Sequence, residues 1–236
     1  MESSRSDFKT HLEPHHAHLI LCGLSQTALP DPPFSSLAHA VSARRALPLP
    51  MKLHLLNLYW RITRTYLRLR GAEVGRMVRC NGFPYIKIRT GGRLIIEDGV
   101  NINASRWSNA HIVAGSTTFY VGENATLRLS QGVGISGTRV VAIKHIEIGA
   151  HTLIGAGCLI CDSDMHEIPL GSENPVHCEP IHIGNRVFFG AQCVILKGIN
   201  IGDGAVIAAG SMVSKSVPAR CLAAGNPAKV CKEYRA

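Results

Sequence analysis

The sequence predicts a mainly β fold, a solenoid of short parallel strands stacked in triangular coils and preceded by one amphipathic helix. An aliphatic or aromatic residue returns at every sixth position, at Ile183, Phe189, Ile195, Ile201, Ile207 and Val213. A small or aliphatic residue stands four places after each, at Val187, Cys193, Ile199, Ala205, Ser211 and Val217. Composition agrees: charged residues are 17%, aromatics 6%, and there are 23 glycines, a balance suited to short strands joined by tight turns.

Each six-residue unit supplies one flat strand and one corner, and three units close a coil. The same phase runs through Ile148-Gly149, Ile154-Gly155 and Ile160, with weaker units starting at Ile96, Val121 and Leu129. One coil cannot bury its own inward residues, so coils must stack, and their flat outer faces are available to pair between copies.

Residues 1–50 combine histidines, prolines and scattered charge without periodicity. They are expected to be a disordered extension or to precede a natural start at Met51. Residues 51–71 are expected to form an amphipathic basic helix ending at Gly71. Leu55, Leu56, Tyr59, Ile62, Tyr66 and Leu69 recur at helical intervals, and Arg61, Arg64 and Arg68 share another face. Such a helix suits the open end of a solenoid as a cap, and its arginines and Trp60 also suit contact with anionic lipid. Residues 72–232 follow as the solenoid domain, with a loop over 161–182.

A formal charge of +9 favours anionic partners. The sparse aromatics do not alternate with the basic residues as a nucleic-acid groove requires, so no nucleic-acid partner is expected. No stretch approaches the roughly 18 apolar residues of a spanning helix, so the chain is expected to be cytoplasmic and at most peripheral on the inner face of a membrane. Among eight cysteines, only Cys158 and Cys161 have redox or metal spacing, with no second pair to complete a thiolate site. Cys158 and Cys193 share the phase of small buried residues, so they are expected in the core and no metal is expected.

The repeat stops between Ile160 and Ile183, and the interruption carries Asp162, Asp164, His166, Glu167 and His177. Insertions leave a solenoid as loops, and loops on rigid scaffolds are where chemistry concentrates.

From about Gly71 to Lys232 the pattern resembles the left-handed β-helix hexapeptide acyltransferases, nearest the sugar O-acetyltransferase branch with its galactoside, maltose and exopolysaccharide enzymes. The likeness is most specific at Asp162-Ser163-Asp164-Met165-His166 and at Gly225-Asn226-Pro227-Ala228-Lys229-Val230-Cys231-Lys232. Left-handedness is implied by the resemblance only, since parallel crossovers are in general right-handed. The resemblance implies transfer of an acetyl group from acetyl-CoA to a hydroxyl of a sugar or lipid-linked glycan precursor. His166 would act as general base, and Asp164 or Asp162 would orient its ring.

A homotrimer is also implied, with acetyl-CoA lying between adjacent solenoids. Gly190, Ala191, Ala209, Ser214 and Lys215 would line that groove, and Lys229 and Lys232 would meet the nucleotide phosphates. Ser136 and Asp162 would contact the sugar. Two positions depart from the galactoside enzymes: Phe188 replaces a tryptophan and Ala191 a serine. Serine and antibiotic acetyltransferases share the C-terminal pattern, so the acceptor stays open. The same solenoid also houses zinc hydratases resembling γ-type carbonic anhydrases, for which His177, His182 and His145 are the nominated ligands.

Overall fold

The computed structural model describes residues 48–105 and 116–234. Almost all of the extension expected over residues 1–50 lies outside them.

Helix α1, Leu49–Leu69, follows Pro48 as its N-cap, carries Pro50 in its first turn, where a fixed φ and a missing N–H are tolerated, and ends at Arg70 ahead of Gly71 at φ +90°. It covers the first coil, made by β1 (Glu73–Val74), β2 (Arg79–Asn81) and β3 (Tyr85–Ile88). Leu67 and Thr63 are buried, and Tyr66 meets Phe83 edge-on with ring centroids 5.1 Å apart. The Tyr66 hydroxyl donates to Pro84 O at 2.9 Å, and Gly82 N–H donates to the Tyr59 hydroxyl at 2.7 Å. Partial burial pushes the Tyr59 hydroxyl above its ordinary pKa. The cap role is therefore built. Trp60 belongs to it as well, donating to Asn81 Oδ1 at 3.4 Å beneath the Arg79 guanidinium, 5.1 Å from the ring centre.

The next coils are β4 (Arg93–Ile96), β5 (Asn101–Asn103), β6 (Thr118–Val121), then β7 (Thr126–Leu129), β8 (Gly134–Ser136), β9 (Arg139–Ala142). They continue with β10 (His145–Ile148), β11 (Leu153–Ile154), β12 (Leu159–Cys161), then β13 (Ile181–Ile183), β14 (Phe188–Phe189), β15 (Val194–Ile195). The last full coil is β16 (Asn200–Ile201), β17 (Val206–Ile207) and β18 (Met212–Val213), followed by β19 (Cys221–Gly225) and β20 (Ala228–Glu233).

Every third strand pairs in parallel. The first face is β1-β4-β7-β10-β13-β16, the second β2-β5-β8-β11-β14-β17-β19-β20, and the third β3-β6-β9-β12-β15-β18. β19 and β20 pair antiparallel, closing the C-terminal end as a hairpin.

Register carries the sequence pattern into the core. Ile96, Leu129, Ile148, Ile183 and Ile201 stand in one column, and Ile102, Ile135, Ile154, Phe189, Ile207 and Ala223 in another. All are buried, as are the four-places-later residues Val187, Cys193, Ile199, Ala205, Ser211 and Val217. Cys158 and Cys193 are buried and free, and the hydrogen bond with Cys193, helped by burial, pushes the Cys158 thiol up.

Corners must let successive coils approach at strand spacing. A Cβ on Gly155 would lie 2.7 Å from Gly190 C, and one on Gly190 would strike the backbone of Ala209. Small residues at these corners serve coil stacking first.

Phe189→Ala is expected to cost about 3–5 kcal/mol in denaturant unfolding. Phe188→Ala, with a ring that is 50% exposed, should cost under about 1 kcal/mol. Equal costs would contradict the inward column.

Candidate active site

The interruption predicted between Ile160 and Ile183 is a loop that leaves the corner between the third and first faces. Its base is tightly pinned. The buried Asp162 carboxylate accepts backbone N–H groups from Ile143 at 2.6 Å and from Lys144 and His145 at 2.8 Å. Ser163 and Cys178 form an antiparallel bridge, flanked by Asp164 N–H to His177 O at 3.1 Å and Glu179 N–H to Asp162 O at 3.0 Å. Asp164 Oδ1 accepts from Lys197 Nζ at 2.7 Å, with both side chains 23% exposed. Met165 N–H reaches Ser163 Oγ at 2.9 Å, with Met165 held at φ +65°.

Beyond this base, His166 is exposed, and among the described residues its ring takes part in no hydrogen bond. Next to it, N–H groups of Glu167 itself and of Gly171 hold the Glu167 carboxyl below its ordinary pKa.

Three sequence expectations change here. Asp162 does not face an acceptor, because it is 0% exposed and its oxygens are used by three backbone donors. Ser136 is also internal: its hydroxyl accepts from Asn103 Nδ2 at 3.1 Å, continuing a ladder in which Asn81 Nδ2 donates to Asn103 Oδ1 at 2.9 Å. Neither Asp162 nor Asp164 orients the His166 ring, since Asp164 is paired with Lys197. Lys197 was not singled out from the sequence. It occupies an ordinary corner position after Ile195, and only the fold brings it to Asp164.

The residues nominated for the donor fall on two edges of the third face. Gly190, Ala191 and Ala209 stack along the corner between the second and third faces. At corners between the first and second faces, side chains of the following coil accept the corner N–H groups. Asp98 takes Arg76 N–H at 2.7 Å, and Asn185 takes Ala150 N–H and Asp203 takes Asn185 N–H, both at 2.8 Å. The alanine corner has no such acceptors, and among the described residues the N–H groups of Ala156, Ala191 and Ala209 meet none. Ala156 is buried, so the short column open to a ligand is that of the half-buried Ala191 and the exposed Ala209. Ser214 and Lys215 lie after β18 on the edge that carries the loop. Lys229 and Lys232 are exposed on β20, past the Gly225 turn, where Gly225 N–H donates to Ser211 Oγ at 3.1 Å.

The nominated histidines separate. His145 and His182 lie side by side on β10 and β13, ring centroids 5.4 Å apart, with Glu147 Oε2 3.9 Å from each. Donor atoms of these three all lie within 4.8 Å of one another. His177 instead meets Glu179 at 2.8 Å.

A family model described as the hexapeptide repeat of succinyl-transferase matches residues 180–215. The solenoid is a hexapeptide-repeat β-helix. A solved structure of the polySia specific acetyltransferase NeuO is 28% identical with a TM-score of 0.51, covering 68% of this chain and 81% of that one. AntD, an N-acyltransferase from Bacillus cereus solved with dTDP and coenzyme A, shares the fold at 18% identity and a TM-score of 0.51, covering 73% and 89%. The hexapeptide-repeat fold of these relatives is the left-handed parallel β-helix expected for this chain.

Over 85 residues the chain is 38% identical to the 2,3,4,5-tetrahydropyridine-2,6-dicarboxylate N-acetyltransferase of Staphylococcus aureus (strain JH9), 36% of this chain and 32% of that protein. Over 54 residues it is 50% identical to a protein of Staphylococcus aureus (strain COL), 23% and 27%. These matches span about a third or less of the curated relatives' length.

Asp162→Ala is expected to destabilise the chain by about 3 kcal/mol, as loss of a buried charge-assisted acceptor leaves donors unpaired. It should also speed hydrogen exchange at Ile143, Lys144 and His145. Unaltered stability with a raised acceptor KM would restore Asp162 to the acceptor site.

Proposed function

We propose that the chain is an acyl-CoA-dependent O-acyltransferase, transferring acetyl to a hydroxyl of a sugar or glycan precursor with His166 as general base. The observation that carries this reading is the exposed imidazole of His166 beyond a loop base pinned by Asp162, Asp164 and Lys197. Its nitrogens are available to a substrate, and the anchoring limits the positions from which it can act.

Imidazole would take the acceptor hydroxyl's proton as oxygen attacks the thioester carbonyl. The C–S bond then breaks, and the proton passes to the leaving thiolate. Backbone N–H groups would stabilise the oxyanion. No covalent enzyme intermediate is required.

The short N–H column at Ala191 and Ala209 suits the amides of an extended pantetheine arm. Lys229 and Lys232, close past that column's end, suit phosphate. Within one chain the column and the loop occupy different edges of the third face, which supports a homotrimer in which one copy's loop meets the next copy's column. NeuO, whose name specifies polysialic acid, supports a carbohydrate acceptor over serine or an antibiotic.

The cluster of His145, Glu147 and His182 favours a second reading, zinc-dependent hydration. That reading had nominated His177, which is engaged by Glu179. Stoichiometric zinc in purified protein, together with hydratase turnover, would select it.

His166→Ala should lower kcat roughly 10²–10⁴-fold in a thiol-release assay without changing thermal unfolding, because the ring is exposed. Near-normal turnover would end the assignment. Lys229→Glu with Lys232→Glu should raise KM for acetyl-CoA by about tenfold or more, at about 1 kcal/mol for each ionic contact with phosphate. The acceptor KM should hold. A shift in acceptor KM alone would move the phosphates elsewhere.

A further inference from the structure

Helix α1 has two apolar faces, where the sequence suggested one. Leu56, Tyr59, Thr63, Tyr66 and Leu67 face the first coil. Met51, Leu55, Leu58, Ile62 and Leu69 point away from it, with exposures of 45%, 42%, 53%, 51% and 81%. Their spacing alternates four and three, with Thr65 filling the one missing place, so they make a continuous stripe along the outer side of the helix.

The helix carries Lys52, Arg61, Arg64 and Arg68 and has no aspartate or glutamate. The three arginines lie in the sector beside the stripe. Arg68 also donates to Val74 O at 3.0 Å, while no carboxylate among the described residues pairs with Arg61 or Arg64. No helix among the described residues is long and apolar enough to cross a membrane.

We infer that this outer face of α1 docks on an anionic lipid bilayer, lying in the plane of the headgroups. Charge decides between lipid and a second copy of the chain. Packing the stripe against its own copy would bring arginines together with no acidic side chain on the helix to meet them, and like charges at a seam oppose pairing. An anionic bilayer supplies an apolar layer for the five side chains and counter-charge for the arginines beside them. Trp60, expected with the arginines to suit lipid, is not part of this surface because it is committed to Asn81 and Arg79. Docking places the first coil at the bilayer and does not depend on acyl transfer.

The test is flotation of the full chain with vesicles of phosphatidylcholine alone and of phosphatidylcholine mixed with phosphatidylglycerol. The full chain should float with the anionic vesicles, more weakly as salt rises. Ile62→Glu should weaken binding by about tenfold or more, since it sets a charge in the buried sector. Arg61→Gln with Arg64→Gln should weaken it by about fivefold per charge removed. Circular dichroism and thermal unfolding should be unaltered in both variants, because the altered side chains lie outside the core.

Absence of the unaltered chain from the floated anionic fraction would overturn the proposal, as would equal flotation by Ile62→Glu. A fall in oligomeric order for Ile62→Glu in sedimentation would assign the stripe to contact between copies and also overturn it.

Discussion

Every inward side chain of the solenoid rests on an equivalent side chain of the coil before and supports one of the coil after. Ile148 sits on Leu129 and under Ile183, and Ile154 sits on Ile135 and under Phe189. The stacking tolerates substitution of one hydrophobe for another, but it does not tolerate a change of phase. An extra segment can be accommodated only by leaving the stack at a corner and returning in register. That constraint turns the stretch from Asp162 to Pro180 into an outward loop, one residue shorter at its start and two at its end than the interruption of the repeat, and it explains why Ile148 still pairs with Ile183 across a much longer connection than the one from Ile183 to Ile201.

Returning in register demands an anchor where the chain departs. Asp162 provides it by gathering the N–H groups of Ile143, Lys144 and His145, at a corner whose usual partners have been displaced. A carboxylate can satisfy several donors together where a neutral acceptor would leave some unpaired. The motif that drew attention to chemistry therefore divides its labour: Asp162 fastens the loop, Asp164 ties it to Lys197 of the next coil, and His166 is left facing solvent. Read as sequence, all three looked like members of one catalytic cluster. Adjacency in a motif does not reveal which side of the chain each residue faces.

The fold was legible because a period of six is a geometric quantity. Ile183 to Val217 alternate buried and exposed roles that follow from the repeat alone, and even the polar Ser211 follows its column into the core. The site was legible only in part. The interruption identified the loop, but Lys197 and Glu147 were missed because each sits at an ordinary polar position of the repeat and gains its partner only through stacking. Ser136 was misplaced for a similar reason. Its hydroxyl is consumed by Asn103 of the preceding coil, a long-range contact that no local pattern announces.

The same logic separates small residues that look alike. Gly190 is small because a Cβ would strike the coil above, so its presence says nothing by itself about a ligand. Ala191 and Ala209 differ because of what they lack. Where Asp98, Asn185 and Asp203 turn back to accept a neighbouring corner N–H, alanine cannot, and among the described residues the N–H groups of Ala191 and Ala209 meet no acceptor. A backbone amide left without an internal acceptor can be satisfied by water or by a ligand that carries amides of its own, and donors on two successive coils of one edge suit an extended ligand. A pantetheine-like arm thus fits donors left unpaired along one edge of the solenoid, where the side chains that claim such donors elsewhere in the same coils are replaced by alanine.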